Sequence, residues 1–163
     1  MNVRIITALG ATALAVGLIA GCATKPDTAA STTPTPTPAS ADYAANPGDL
    51  TTLSGYSDIA GDFKTLSDES AAIARRYDVD GLKSKGWDFV SLGTRGLDLP
   101  DIPAVGSAAN EAWDDAMTDY KAAGSQMVAG AFDGATESLE SAGANLRAST
   151  AAVATATEML NNS

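Results

Sequence analysis

From Phe132 onward a large apolar residue returns every seven positions: Phe132, Leu139, Leu146, Val153 and Leu160. Ala135, Ala142, Ser149 and Ala156 repeat between them. Steps of three and four place both sets on one face of an α-helix, as a large/small seam. Upstream, Trp113, Tyr120 and Met127 keep the same step, with Met117 and Gly124 between them. Gly130 separates the two runs and is a natural stop and turn. So short a connection makes the two helices antiparallel neighbours. Small residues opposite large ones allow their backbones to approach closely.

A third run, Tyr56, Ile59, Phe63, Leu66, Ser70, Ile73 and Tyr77, follows the same rhythm. Arg75 and Arg76 fall in its last turn, where cations favour the helix dipole. Asp49, Ser54 and Ser57 are the candidate caps at its start. Between Val79 and Val105 the periodicity blurs. Leu82, Phe89 and Val90 suit a short helix of about three turns. Gly93 and Gly96 are expected to break it, and Pro100 and Pro103 to prevent its continuation. The stretch is too apolar for a solvated loop, so an extended crossover packed on the bundle is expected. Alternation of Phe89, Leu97 and Leu99 offers a strand instead, but no second strand is there to pair with it. The expected fold is all-α. It is an up-and-down bundle of three long helices plus a short helix and extended crossover, spanning residues 49–163.

The first residues belong to something else. Arg4 is the only charge before Cys22, and Ile5 to Ala20 is apolar or small throughout. That is the layout of a secretory signal peptide, residues 1–21. A transmembrane anchor usually needs about 20 strongly apolar residues, and this run is shorter and diluted by glycine, alanine and threonine. Ile19, Ala20, Gly21 and Cys22 resemble the lipobox of bacterial lipoproteins. The resemblance covers about the first 22 residues of the chain. It implies that the signal is cut before Cys22, whose sulfur carries lipid, and that two or three acyl chains anchor the protein. Each buried methylene contributes about 0.8 kcal/mol to such an anchor. The expected location is the extracytoplasmic face of the cell membrane. The alternatives are a buried free cysteine and an exported soluble protein with an unused thiol.

Residues 22–48 hold almost no large apolar side chain, and Pro34, Pro36 and Pro38 alternate with Thr35 and Thr37. Such a segment buries too little to offset its ordering entropy, so a disordered Thr/Pro tether is expected. Proline alternation favours extended polyproline II at about 3.1 Å per residue. A Ser/Thr/Pro stalk also suits O-linked sugar, but a plain linker suffices to explain it. The stalk and the alanine-rich composition are similar to those of actinobacterial lipoproteins.

The chain carries 10 basic and 20 acidic residues, a net charge of −10, and no histidine. The acidic balance argues against nucleic acid and against electrostatic adhesion to anionic lipid headgroups. Without histidine there is no Ser-His or Cys-His nucleophile pair, no commonest transition-metal ligand, and no Glu-x-x-His pair for a di-iron bundle. One cysteine makes neither an internal disulfide nor a thiolate cage. No lysine follows a serine by three, and no GxSxG occurs. The expectation is therefore no enzyme, no cofactor and no metal. A hydrolase using two carboxylates is the weaker alternative, and it requires two opposed acids in a cleft.

Glu111, Asp114, Asp115 and Asp119 form an acidic cluster. One helix face does not wrap a cation, so it reads as a solvated face rather than a calcium or magnesium site. Asp78 to Gly81, DVDG, resembles a fragment of an EF-hand loop. The twelfth position falls on Phe89 instead of glutamate, so Asp78 or Asp80 is read as a helix cap. The remaining candidate is a basic cluster in an acidic domain: Arg75, Arg76, Lys83, Lys85 and Arg95, with Trp87 and Phe89 inside it. Aromatics among cations suit a partner-binding patch for an envelope protein or polymer. The competing reading gives the arginines to the helix dipole, the aromatics to the core and the lysines to solvent.

A non-enzymatic, lipid-anchored interaction module is thus the expected function. The alternative is a carrier for a small apolar or lipid ligand held between the helices, with Trp87 to Val105 as the movable wall. The heptad seams also leave a dimer open.

Overall fold

The computed structural model describes residues 46 and 48–162. The expected signal peptide, Cys22 and nearly all of the tether lie outside them. Four helices follow in order: α1 (Asp49–Arg75), α2 (Val79–Leu97), α3 (Ser107–Ala129) and α4 (Phe132–Asn161). The chain is all-α and the helices pack up and down. α3 lies in close contact with both α2 and α4; α1 closes the bundle by resting on α2 and α4. Among the described residues, no helix is long and apolar enough to cross a membrane.

The periodic residues build the core. Leu53, Tyr56, Ile59, Phe63, Leu66, Ser70 and Ala74 bury one face of α1. Trp113, Met117, Tyr120, Gly124 and Met127 do so on α3. On α4 the small half of the seam, Ala135, Ala142, Ser149 and Ala156, is buried together with Leu146 and Val153. Across the centre, Tyr56 meets Trp113 edge to face at 4.4 Å, and Phe63 stacks on Tyr120 at 3.8 Å. Each pair lies seven residues beyond the last on both helices, so α1 and α3 run parallel in register. The next step reaches Ser70 and Met127, both buried.

The short helix expected after Val79 differs from its expectation. α2 has 19 residues and runs straight through Gly93 and Gly96. These glycines permit contact with α3 instead of breaking the helix. A Cβ on Gly86 would stand 2.6 Å from the Gly124 carbonyl oxygen, and one on Gly93 would stand 2.8 Å from that of Met117. Gly124 returns the contact, since its own Cβ would strike the Gly86 carbonyl. The roughly 1 kcal/mol helix penalty of a glycine is offset by packing that no other residue allows. The expected crossover shrinks to 98–106. It packs on the bundle through Ile102, whose N–H donates to Asn110 Oδ1 at 2.7 Å. Tyr56 Oη donates to the Pro100 carbonyl beside it.

Helix ends follow local chemistry. Asp78 caps α2, its carboxylate accepting from the Gly81 N–H at 2.8 Å. At the start of α1, Gly48 holds the cap position with no side-chain cap bond, while Asp49 accepts from the Asn46 N–H at 2.7 Å. α3 stops at Gly130, which adopts a left-handed φ of 80°. The Ala131 N–H reaches the Gln126 carbonyl and the Gly130 N–H that of Met127, a Schellman turn. α1 stops the same way, through Asp78 N–H to Ile73 and Tyr77 N–H to Ala74. Here the left-handed position belongs to Tyr77, at φ 57°. The sequence rhythm places Tyr77 on the buried face; the helix ends two residues short of it, at Arg75.

Candidate functional site

The antiparallel packing gives the bundle two ends. The turn end holds the α1–α2 and α3–α4 connections. The crossover end holds residues 98–106, the start of α1 and the end of α4. Lys83, in the first turns of α2, reaches across the turn end, its Cε 3.5 Å from where a Cβ on Gly130 would be.

The basic cluster divides into two groups. Lys85 and Arg95 lie along the α1–α2 groove and are paired. Lys85 Nζ is 2.7 Å from Glu69 and 3.2 Å from Asp88, and Arg95 is 3.6 Å from Asp62. Both carboxylates beside Lys85 hydrogen-bond to it and hold its ammonium above the usual lysine range. The groove itself is an open, polar trough of about 320 Å³, with Leu66 and Leu92 at its floor. Its ion pairs are exposed, so each is worth little.

Arg75, Arg76 and Lys83 gather at the turn end, and none has an ion-pair partner among the described residues. Lys121 and Arg147 are also unpaired but lie elsewhere, Lys121 against Gly93 and Arg147 on the surface of α4. The carboxylates that share the turn end sit at helix starts: Asp78 as the cap, Asp80 and Asp133 in first turns. Helix N-termini favour negative charge there. Tyr77 and Trp87 are 62% and 64% exposed, the highest values among the exposed large apolar residues. Trp87 follows Lys83 by one turn on the same face of α2. Phe89, by contrast, is fully buried against Phe63 and Tyr120. Of the two aromatics in the sequence cluster, one is core and one is surface. Tyr77 was assigned to the core by its spacing; only the left-handed turn brings it out.

The acidic cluster lies toward the other end. Glu111, Asp114 and Asp115 are exposed, Asp119 is half-buried, and Asp98 and Asp101 join them from the crossover. Partial burial, then the Asp101 and Asp115 charges, push the Asp114 carboxyl up. No group of three or more metal-ligating side chains is placed to hold an ion among the described residues. Inside, Tyr56 is pushed up to about 12, chiefly by burial, and Tyr120 is raised more strongly by the same cause. Tyr120 Oη and Ser70 Oγ are buried without a hydrogen-bond partner.

No protein family, curated protein or solved structure matches the chain.

Proposed function

We propose that this chain is a bacterial envelope lipoprotein, held on the extracytoplasmic face of the cell membrane by lipid on Cys22. Its helical domain is a non-enzymatic interaction module. The lipobox resemblance at Ile19 to Cys22 supports the anchor. The turn end carries the interaction reading: three cations without ion pairs among the described residues lie there with the exposed Tyr77, and the exposed Trp87 follows Lys83 by one turn toward the middle of α2. Aromatic and arginine side chains are the types that dominate protein interfaces. Tyr77 adds a further reason. A left-handed non-glycine residue costs about 1–3 kcal/mol and tends to be kept where it does something. A carrier would need room between the helices, and Phe63, Phe89 and Tyr120 stack in that space.

Two experiments test this. Cys22→Ala should move the protein from the membrane fraction to the soluble one; retention in the membrane refutes the anchor. A photoreactive residue at Ser84, exposed between Lys83 and Lys85, should crosslink one discrete partner in intact cells. The crosslink should vanish with Arg75→Glu/Arg76→Glu. A crosslink that survives this change, or none in the parent protein, refutes the turn end as the docking surface.

A further inference from the structure

We infer that the partner at the turn end is a second copy of this chain, which docks there through its own crossover end. The inference rests on the reading of the turn end as a docking surface, and it names the occupant. Charge complementarity carries it. The turn end offers Arg75, Arg76 and Lys83 unpaired. The crossover end offers Asp98, Asp101, Glu111, Asp114 and Asp115, all exposed and none ion-paired among the described residues. No lysine or arginine occurs between Arg95 and Lys121, and Arg95, in the last turn of α2, pairs with Asp62 rather than with this cluster. Burial is the first cause that raises Asp114; the Asp101 and Asp115 charges add to it, and a cation brought from outside relieves that second part.

The apolar groups match as well. Pro100 and Leu50 are exposed at the crossover end, where Tyr77 of a neighbour would land. One molecule cannot join its own ends. α1 alone has 27 residues, about 40 Å of helix. The contact is therefore between copies and joins unlike surfaces. It produces head-to-tail rows rather than a closed two-fold dimer. Exposed charge pairs are individually weak and screened by salt, so the rows form where copies are concentrated, as on a membrane.

The test uses the full chain in a mild non-ionic detergent, followed by sedimentation velocity. Association should grow with protein concentration at about 20 mM salt and disappear at about 500 mM. Arg75→Gln/Arg76→Gln/Lys83→Gln leaves only the acidic end competent. Asp101→Asn/Asp114→Asn/Asp115→Asn leaves only the basic end. Each variant alone should be monomeric, with its helical circular dichroism unchanged. Their equimolar mixture should form 1:1 pairs and nothing larger. A monomeric parent at low salt, association that survives in either variant, or a mixture that stays monomeric overturns the inference. The Ser84 crosslink separates the two levels. A crosslink to a different protein keeps the docking surface and overturns self-association; a crosslink to the chain itself supports both.

Discussion

Between α2 and α3 the backbones touch, with Gly86 and Gly124 facing each other and Gly93 against the Met117 carbonyl. Between α1 and α3 they stand apart, and rings fill the gap: Tyr56 with Trp113, Phe63 with Tyr120. Both contacts are buried and close-packed, but they fail in opposite directions. The glycine seam has no room to add an atom. The ring seam depends on the large side chains it already has. A helix held by rings is also a helix whose neighbours lie further off, which is why an open trough of about 320 Å³ runs between α1 and α2.

The largest expected effect is on the ring side. Trp113→Ala removes the ring beneath Tyr56 and the indole N–H bond to the Gly96 carbonyl at 2.8 Å. It should cost about 3–5 kcal/mol in urea unfolding. A loss near zero would mean that α1 is not held by this contact. Gly124→Ala probes the other side. Its added methyl meets the Gly86 carbonyl, Phe89 Cβ at 2.9 Å and Val90 Cγ2 at 2.9 Å. It should cost about 1–3 kcal/mol. The identical change at Gly61 on α1, where nothing lies within 4 Å, should instead gain up to about 1 kcal/mol from helix propensity. Equal signs at the two sites would break the comparison.

Tyr120→Phe keeps the ring stack and deletes a buried hydroxyl with no partner. An unsatisfied buried group costs about 1–3 kcal/mol, so thermal unfolding should shift upward. A downward shift would show that the hydroxyl has a bonding role. The smallest effect concerns the two turns that end α1 and α3. They share one hydrogen-bond pattern, with Gly130 in one and Tyr77 in the other. Tyr77→Gly should raise stability by about 1 kcal/mol, less the wider freedom of glycine in the unfolded chain. The same variant should weaken any association measured at the turn end. Stability unchanged together with association unchanged would remove Tyr77 from both arguments.

The seven-residue spacing of α1, α3 and α4 was legible because a buried helix face leaves a period in the chain. So were the stop at Gly130 and a cap at Asp78 or Asp80, since both are local backbone chemistry; the structure gives the cap to Asp78. α2 was harder to read. Gly93 and Gly96 have the same letter as a helix breaker, and whether a glycine ends a helix or admits a neighbour depends on what lies opposite. The basic cluster was visible as composition, but its division was not. Lys85 and Arg95 pair with carboxylates on α1, while Arg75, Arg76 and Lys83 have no ion-pair partner among the described residues. Phe89 and Trp87, two residues apart, fall on different sides of the same helix, and the side that meets the core is set by α3.

The sequence by itself determined the three long amphipathic helices and the turn at Gly130, because side-chain period and turn chemistry are properties of a single segment. It also determined the absence of histidine and the single cysteine at residue 22, and with them the absence of any Ser-His pair or internal disulfide. Only the tertiary structure decided which glycines are contacts, which cations keep a free charge, and which aromatics are left for a partner. Those are properties of pairs of segments, and a pair exists only once the helices are packed.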